Sequence, residues 1–145
     1  MTAKEYLNQI RDLDILIDRK QAALDRLRTL SMSISVSVND NPIQTSGSKD
    51  KMGDTVSRII DVQDEINADI DKLVGMRIEA SNLIDQLNKT KEISVLYMRY
   101  LEKRSWDEIA DELSYSLRRI FEIHGDALHN LEKSAYFRSK ICDMM

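Results

Sequence analysis

The chain has 145 residues, of which 42% are hydrophobic and 32% charged, and its formal net charge is −4 at pH 7. This length suits one domain, or a small domain with a helical extension. Four Gly and one Pro are few, which favours long helices over sheets. The acidic balance excludes binding of nucleic acid through a uniformly basic surface, because counterion release requires clustered Lys and Arg.

The sequence also bears on the compartment. No apolar run reaches 18 residues, so we expect no membrane span. The first residues lack the basic and then apolar regions of a signal peptide. Cys142 is the only cysteine, and it can form neither an internal disulfide nor a cysteine-rich metal site. We therefore expect a cytoplasmic protein.

The first segment, residues 2–30, is predicted to be one long helix. Thr2 followed by Glu5 is a capping-box pattern. Apolar residues then repeat with the alternating spacing of four and three that is typical of a coiled coil, and only Lys20 interrupts them. The apolar members of this seam are Tyr6, Ile10, Leu13, Ile17, Leu24 and Leu27.

Residues 31–54 are rich in Ser and Asn and contain the only Pro, so we predict a flexible loop. The alternation of Met32, Ile34, Val36 and Val38 with serines would also suit an edge strand. Such a strand is unstable without a partner, for example in another subunit, and the loop is the favoured interpretation.

A second long helix is predicted from Thr55 to Leu87, where the same seven-residue rhythm returns. Its length allows it to pack antiparallel along most of the first helix. Its acidic residues scatter around the helix, so we predict no metal site there. Further apolar residues lie outside the seam, and we expect a homodimer or a higher homo-oligomer to cover them. They are Ile60, Val62, Val74 and Ile78.

A short polar joint follows, in which Asn88 or Thr90 is predicted to cap the next helix. Residues 90–133 then have the layout of a helix-turn-helix. Ser105 and Glu108 form a capping box for a short helix. Ser114 and Tyr115 make the turn, and Ser116 is a suitable N-cap for the next helix. The inward side chains predicted for that helix are Leu117, Ile120, His124, Leu128 and Leu131.

The predicted fold is therefore all-α, with a long antiparallel, coiled-coil-like hairpin over residues 1–89 and a C-terminal helix-turn-helix domain over 90–133. Residues 134–145 form a tail that either extends the last helix or docks on a partner. Trp106 could stack on a sugar, but its size favours the core.

Residues 98–113 resemble the start of the helix-turn-helix of sigma-factor region 4, in which Arg-Tyr-Leu precedes Ser-aromatic-acidic-Glu-Ile-Ala. Residues 115–128 are similar to short proteins of phages that infect Gram-positive bacteria, as are residues 1–7 and 65–73. The resemblance implies a late-gene transcriptional regulator of the RinA or ArpU kind. Nothing resembles the other sigma regions, so we expect an accessory regulator and not a sigma factor.

Residues 90–145 carry nine Lys and Arg against ten Asp and Glu, so DNA contacts must come from local clusters. Arg118 and Arg119 are the candidates for guanine or phosphate contacts, and Glu122 is the candidate for a cytosine contact. Lys103 and Arg104 are candidate phosphate clamps, and Ser116 could hydrogen-bond a phosphate at the start of its helix. Alternatively, Ser116, Arg118, Arg119 and Glu122 are ordinary surface residues. His124 falls on the apolar stripe and is expected to be buried and neutral.

No phosphate-binding loop, nucleophile elbow or convergent carboxylate pair occurs, so we expect neither enzymatic activity nor a cofactor. The predicted function is a phage or prophage regulator, an activator or a repressor, that binds double-stranded promoter DNA. Host RNA polymerase is a second expected partner. Two alternatives stay open: a DNA-packaging or assembly module that forms a ring, and an adaptor that contacts polymerase or another protein.

Overall fold

The computed structural model describes residues 1–40 and 47–144, and the side chains of residues 1–33 and 52–143. All regular secondary structure in these ranges is helical, which confirms the all-α prediction. The helices are α1 (Ala3–Asp40), α2 (Gly47–Ile84), α3 (Thr90–Leu96), α4 (Trp106–Leu113), α5 (Leu117–Lys133) and α6 (Ala135–Met144), and a π-helical segment, Tyr97–Leu101, follows α3.

The helices extend into the segment for which the sequence predicts a loop. α1 continues to Asp40 and α2 begins at Gly47, so the loop predicted over 31–54 and the alternative strand over 32–38 are wrong within the described residues. Residues 41–46 of that prediction lie outside them. Extending an existing helix adds one hydrogen bond for each residue and avoids the unfavourable step of nucleating a new helix. A strand here would require a partner strand.

The chain forms two compact units, which we call the terminal unit (residues 1–13 and 73–145) and the central unit (residues 14–72). The boundaries between these units, after residues 13 and 72, differ from the predicted domain boundaries at residues 89 and 133. In the terminal unit, the first turns of α1 contact the C-terminal helices. The backbone N–H of Ala3 donates to Glu132 Oε1 at 3.0 Å, and the ring of Tyr6 meets Phe137 edge-on.

The central unit explains the one polar residue in the predicted seam. Lys20 Nζ lies 2.7 Å from Asp69 Oδ2 and 3.7 Å from Glu65 Oε2. The hydrogen bond to Asp69 is the largest cause of a raised pKa of Lys20. Around this pair, Ile17, Leu24 and Ile66 are buried, and Arg28 Nη2 donates to Gln63 Oε1 at 3.0 Å. Later residues of α1 thus contact earlier residues of α2, which is the order of an antiparallel pair.

The tail is a separate helix that packs within the terminal unit. Ser134 separates α5 from α6, and its hydroxyl donates to the carbonyl of Leu131 at 2.8 Å. The same oxygen accepts from the backbone N–H of Phe137 at 3.2 Å. Phe137 is buried against Tyr6, whereas Tyr136 stays exposed. The tail therefore does not extend α5 but forms a new helix that contacts the first turns of α1, and docking of this tail on a partner stays a prediction.

A buried carboxylate connects α3 to α5. Glu92 is only 3% exposed, and both of its oxygens accept from Asn130 Nδ2, at 3.0 and 3.2 Å. Glu92 lies in the first turn of α3, where a negative charge suits the helix dipole. The N-cap of α3 is Lys89, without a side-chain capping bond, so the prediction of Asn88 or Thr90 as cap is wrong.

We expect Asn130→Ala to lower the free energy of unfolding by about 1–3 kcal/mol, because it removes a donor from a buried carboxylate. Urea denaturation measures the change. His129→Ala, an exposed neighbour, is the matched control and should cost less than about 0.5 kcal/mol. Removing both partners in Glu92→Leu/Asn130→Leu should recover part of the loss. Equal destabilisation by the two single alanine variants would contradict this role of the pair.

Candidate nucleic-acid interface

Helices α4 and α5 are joined by a tight turn whose ends are closed by three serines. Ser105 Oγ accepts from the backbone N–H of Glu108 at 3.2 Å where α4 begins. Ser114 adopts the left-handed conformation with φ 58°, which ends α4. Ser116 Oγ accepts from the N–H of Arg119 at 3.2 Å where α5 begins. The predicted turn and both predicted serine N-caps are confirmed.

The turn also satisfies the last carbonyls of α4. The N–H of Tyr115 donates to the carbonyl of Ala110 at 3.1 Å, and that of Ser114 donates to Asp111 at 3.4 Å. This pair of bonds is the Schellman pattern, which usually has Gly in the left-handed position. Ser114 therefore accepts some backbone strain to change the chain direction within two residues. The hydrogen bonds of this turn therefore determine where α5 begins.

The inner face of α5 is fixed by packing. Ile120 and Ile123 form one cluster with Val95 of α3 and with Ile109 and Ala110 of α4. Below this cluster, Ala127 and Leu131 continue the buried stripe. Helix α5 therefore has one face held in the core and the opposite face exposed.

We define the outer face of α5 as Leu117, Arg118, Arg119, Phe121 and Glu122, all of which are exposed. The predicted inward position of Leu117 is wrong, since 41% of this residue is exposed. The buried stripe follows Ile120, Ile123, Ala127 and Leu131, and Leu117 lies at the first residue of α5, at the edge of that packing. The other inward predictions hold for Ile120, His124 and Leu131, whereas Leu128 is half-buried.

Glu122 contacts both candidate arginines. Arg119 Nη1 lies 3.2 Å from Glu122 Oε2, and Arg118 Nε lies 3.7 Å from Oε1. The side chain of Arg118 is 90% exposed, that of Arg119 46%. Ion pairs this exposed contribute little, so a phosphate or a base edge could replace Glu122 at small cost.

The structure places the two other candidate cations in the link between the π-helical segment and α4. Lys103 is half-buried and has a positive φ of 58°. Arg104 forms an ion pair with Glu112, in the last turn of α4. The carbonyl of Arg104 also accepts from Arg99 Nη1 at 3.2 Å. Arg104 thus has a structural role in the link, which competes with the predicted role as a phosphate clamp.

An aromatic cluster that the sequence analysis did not predict lies beside the outer face. Trp106 is half-buried and meets the rings of His124 and Phe121 edge-on, with centroids 4.7 and 5.2 Å apart. The guanidinium of Arg99 lies 4.3 Å from the centroid of Trp106. Trp106 therefore packs on the core side, as its size indicated. The unusual density of aromatics around Arg99-Tyr-Leu and Ser105-Trp was the available signal for this cluster.

Behind the cluster, a buried hydrogen bond joins the π-helical segment to α5. Tyr100 Oη and His124 Nε2 are 2.7 Å apart. Burial, reinforced by the charges of Lys4 and Arg99, lowers the pKa of His124 to about 4. Burial raises the pKa of Tyr100 to about 12, so the phenol donates to a neutral imidazole at neutral pH. The predicted buried, neutral His124 agrees with this geometry.

The exposed side of α4 is acidic. Asp107, Glu108, Asp111 and Glu112 are all exposed on this short helix. A polyanion can therefore approach the start of α5 more easily than the length of α4. Among the described residues, no group of three or more His, Cys, Asp or Glu side chains is arranged to hold a metal ion. No described helix has the length and apolarity needed to cross a membrane.

These elements define an all-α protein with a capped helix pair near its C-terminal end. A family model with the description Protein of unknown function (DUF1492) matches residues 32–132, and the chain belongs to that family. The match includes α4, nearly all of α5 and every candidate residue above. Comparisons with curated proteins and with solved structures give no significant match.

The pKa of His124 predicts acid sensitivity. Between about pH 4 and 6.5, His124 binds a proton in the unfolded chain but stays neutral in the folded chain. The free energy of unfolding therefore keeps the full contribution of neutral His124 above pH 6.5 and decreases as the pH falls below that value. We expect a Tm at least about 3 °C lower near pH 5 than near pH 7.5, roughly the effect of 1 kcal/mol. Thermal unfolding followed by circular dichroism measures it.

Two histidine variants separate this effect from the titration of other groups. His124→Gln should reduce the pH dependence, because an amide can accept from Tyr100 without titrating in this range. His129→Gln, at an exposed position of the same helix, should retain it. The same acid-induced loss in both variants would assign the effect to groups other than His124.

Proposed function

We propose that this protein is an accessory transcriptional regulator, of phage or prophage origin, that binds promoter DNA through α4 and α5 acting as a helix-turn-helix. The observation that supports the proposal is that α5 has one face buried in the core and a first turn that exposes two arginines. Its inner face is held by Ile120 and Ile123, while Arg118 and Arg119 are exposed in its capped first turn. The resemblance to sigma region 4 and to RinA- and ArpU-type regulators supports activation of late genes, with host RNA polymerase as a further partner.

The geometry suits the usual docking of such a motif, in which the first residues of the second helix face base edges in the major groove. Arg118 is the more exposed arginine and the better candidate for a guanine contact. Arg119, Ser116, Lys103 and Arg104 are assigned to phosphates, and Arg104 would have to leave its ion pair with Glu112 to make that contact. Glu122 either accepts from cytosine or turns away when the arginines bind DNA.

The acidic surface of α4 means that one copy makes few favourable phosphate contacts. Dimerisation would double the contacts and fix the spacing of two half-sites. The antiparallel order of the contacts between α1 and α2 supports the hairpin that we propose as the assembly element. Exposed apolar pairs one turn apart on α2 supply the surface: Val56 with Ile60, and Val74 with Ile78. The proposed setting is the cytoplasm of the bacterial host.

A second candidate function is an adaptor that binds protein. The contacts of Arg118 and Arg119 with Glu122, together with the four carboxylates of α4, favour it, because this surface is close to neutral and repels phosphates in places. An adaptor of RNA polymerase should co-purify with polymerase after nuclease has removed DNA.

The main test is selection of genomic DNA fragments by the purified protein at about 150 mM salt, which weakens nonspecific binding. We expect enrichment of a promoter-proximal site by the wild-type protein. Arg118→Ala/Arg119→Ala should abolish the enrichment, because an arginine–guanine contact contributes about 1–3 kcal/mol of discrimination and a phosphate contact adds affinity.

The control removes the same charge from exposed positions of the central unit, in Arg26→Ala/Arg58→Ala, and should retain enrichment. Enrichment lost in both double variants would indicate a nonspecific effect of net charge and would contradict a site on α5. If the wild-type protein enriches no fragment at any salt concentration, the DNA-binding proposal is wrong and the polymerase experiment decides on the adaptor.

Self-association has its own test. Ile60→Glu/Ile78→Glu should shift the protein towards monomer in sedimentation equilibrium, because two buried charges would oppose an apolar interface. Arg26→Glu/Arg58→Glu introduces the same two carboxylates at exposed polar positions and should leave the assembly unchanged. A wild-type protein that is monomeric at micromolar concentration would refute assembly through α2.

A further inference from the structure

We propose that Leu117 and Phe121 recognise thymine methyl groups in the major groove, and this inference rests on the proposed DNA-binding function. These two residues are 41% and 49% exposed, although the remaining aliphatic side chains of α5 are buried or half-buried. The exposed part of these two large apolar side chains is unfavourable in water, by about 25 cal/mol for each Å² of apolar surface. A partner that covers them would recover that free energy.

The two side chains share one strip of the helix surface. They are four residues apart, so they lie one turn apart on the same side of α5. Gly125 follows one turn further, and a Cβ atom built there meets nothing within 4 Å. The strip formed by Leu117, Phe121 and Gly125 is therefore apolar at its start and open at its end, which allows another surface to approach closely.

The strip is held in place before any partner binds. Phe121 meets the ring of Trp106 edge-on at 5.2 Å, and Arg99 covers another part of Trp106 at 4.3 Å. The N-cap bond from Arg119 to Ser116 fixes the turn that carries Leu117. Little side-chain entropy is then lost when Phe121 binds, which favours a defined contact over general adhesion.

The chemistry of the groove identifies what these side chains would contact. The thymine C5-methyl is the one apolar group among the base-edge groups of the major groove, and the others are hydrogen-bond donors and acceptors. Leu117 and Phe121 can form no hydrogen bond, and Arg118 beside them supplies the cation that duplex DNA attracts. A rise of ~6 Å between the two residues corresponds to roughly two base-pair steps.

The test uses the duplex that the wild-type protein selects from a random-sequence library, with each thymine replaced in turn by uracil. Uracil pairs with adenine in the same way but lacks the methyl group. Binding is followed by fluorescence anisotropy at about 150 mM salt. We expect about a fourfold loss of affinity at one or two positions, the factor equivalent to ~0.8 kcal/mol for one methyl group.

The variants assign those positions to residues. Phe121→Ala should bind the thymine and uracil duplexes equally at one position, and Leu117→Ala should do so at the other. Arg118→Ala should weaken binding to both duplexes and keep their ratio. Tyr136→Ala, which removes an exposed aromatic from α6, should change neither. If Phe121→Ala does not fold, Leu117→Ala, which leaves the Trp106 contact intact, carries the test alone.

The outcomes separate this inference from the function on which it rests. A selected duplex in which no uracil substitution lowers affinity would overturn thymine recognition and leave DNA binding intact. The same holds if the uracil penalty persists unchanged in Leu117→Ala and Phe121→Ala, which would assign the methyl contact to other residues. If no duplex is selected at all, the proposed function and this inference both fail, and the strip becomes a candidate protein contact.

Discussion

The arrangement of the candidate site depends on the packing of α5 against α3 and α4. Ile120 and Ile123 enter a cluster with Val95, Ile109 and Ala110, and this contact decides which side of α5 faces solvent. A change of helix rotation by one position would bury Arg119 and expose Ile120, which would remove the site and the core together. The serine caps fix where α5 begins, and the core fixes its rotation. Together they determine the exposed first turn.

Hydrogen bonding and charge add a second layer to this packing. The Tyr100–His124 bond satisfies two polar groups inside the apolar region, and their pKa values move apart so that both remain neutral near pH 7. Two charged contacts lie beside this bond: Arg99 lies over Trp106, and Arg104 pairs with Glu112. The Tyr100–His124 pair is therefore neutral, and the buried carboxylate of Glu92 is held separately by Asn130.

The sequence predicted several features of this structure that depend on local chemistry, although the cap of α3 was predicted wrongly. The helix caps at Ser105 and Ser116 and the turn at Ser114 follow from side-chain hydrogen bonding within three residues, and they were found. The loop predicted over 31–54 was wrong for residues 31–40 and 47–54, because a Ser-rich composition lowers helix propensity only slightly and an adjacent long helix can override it. The position of Leu117 and the contacts of Trp106 depend on partners distant in sequence, which periodicity alone does not identify.

If the protein binds DNA as we propose, its shortage of cations constrains how it can recognise a sequence. Two arginines that share Glu122 release few counterions, so the salt-dependent, sequence-independent part of the affinity is small. On that proposal, most of the discrimination would come from base contacts and from the joining of two half-sites. A weakly charged module of this kind would bind random DNA poorly, so even modest base contacts would produce a useful ratio of specific to nonspecific binding. Exposed apolar side chains beside a single prominent guanidinium are consistent with that strategy.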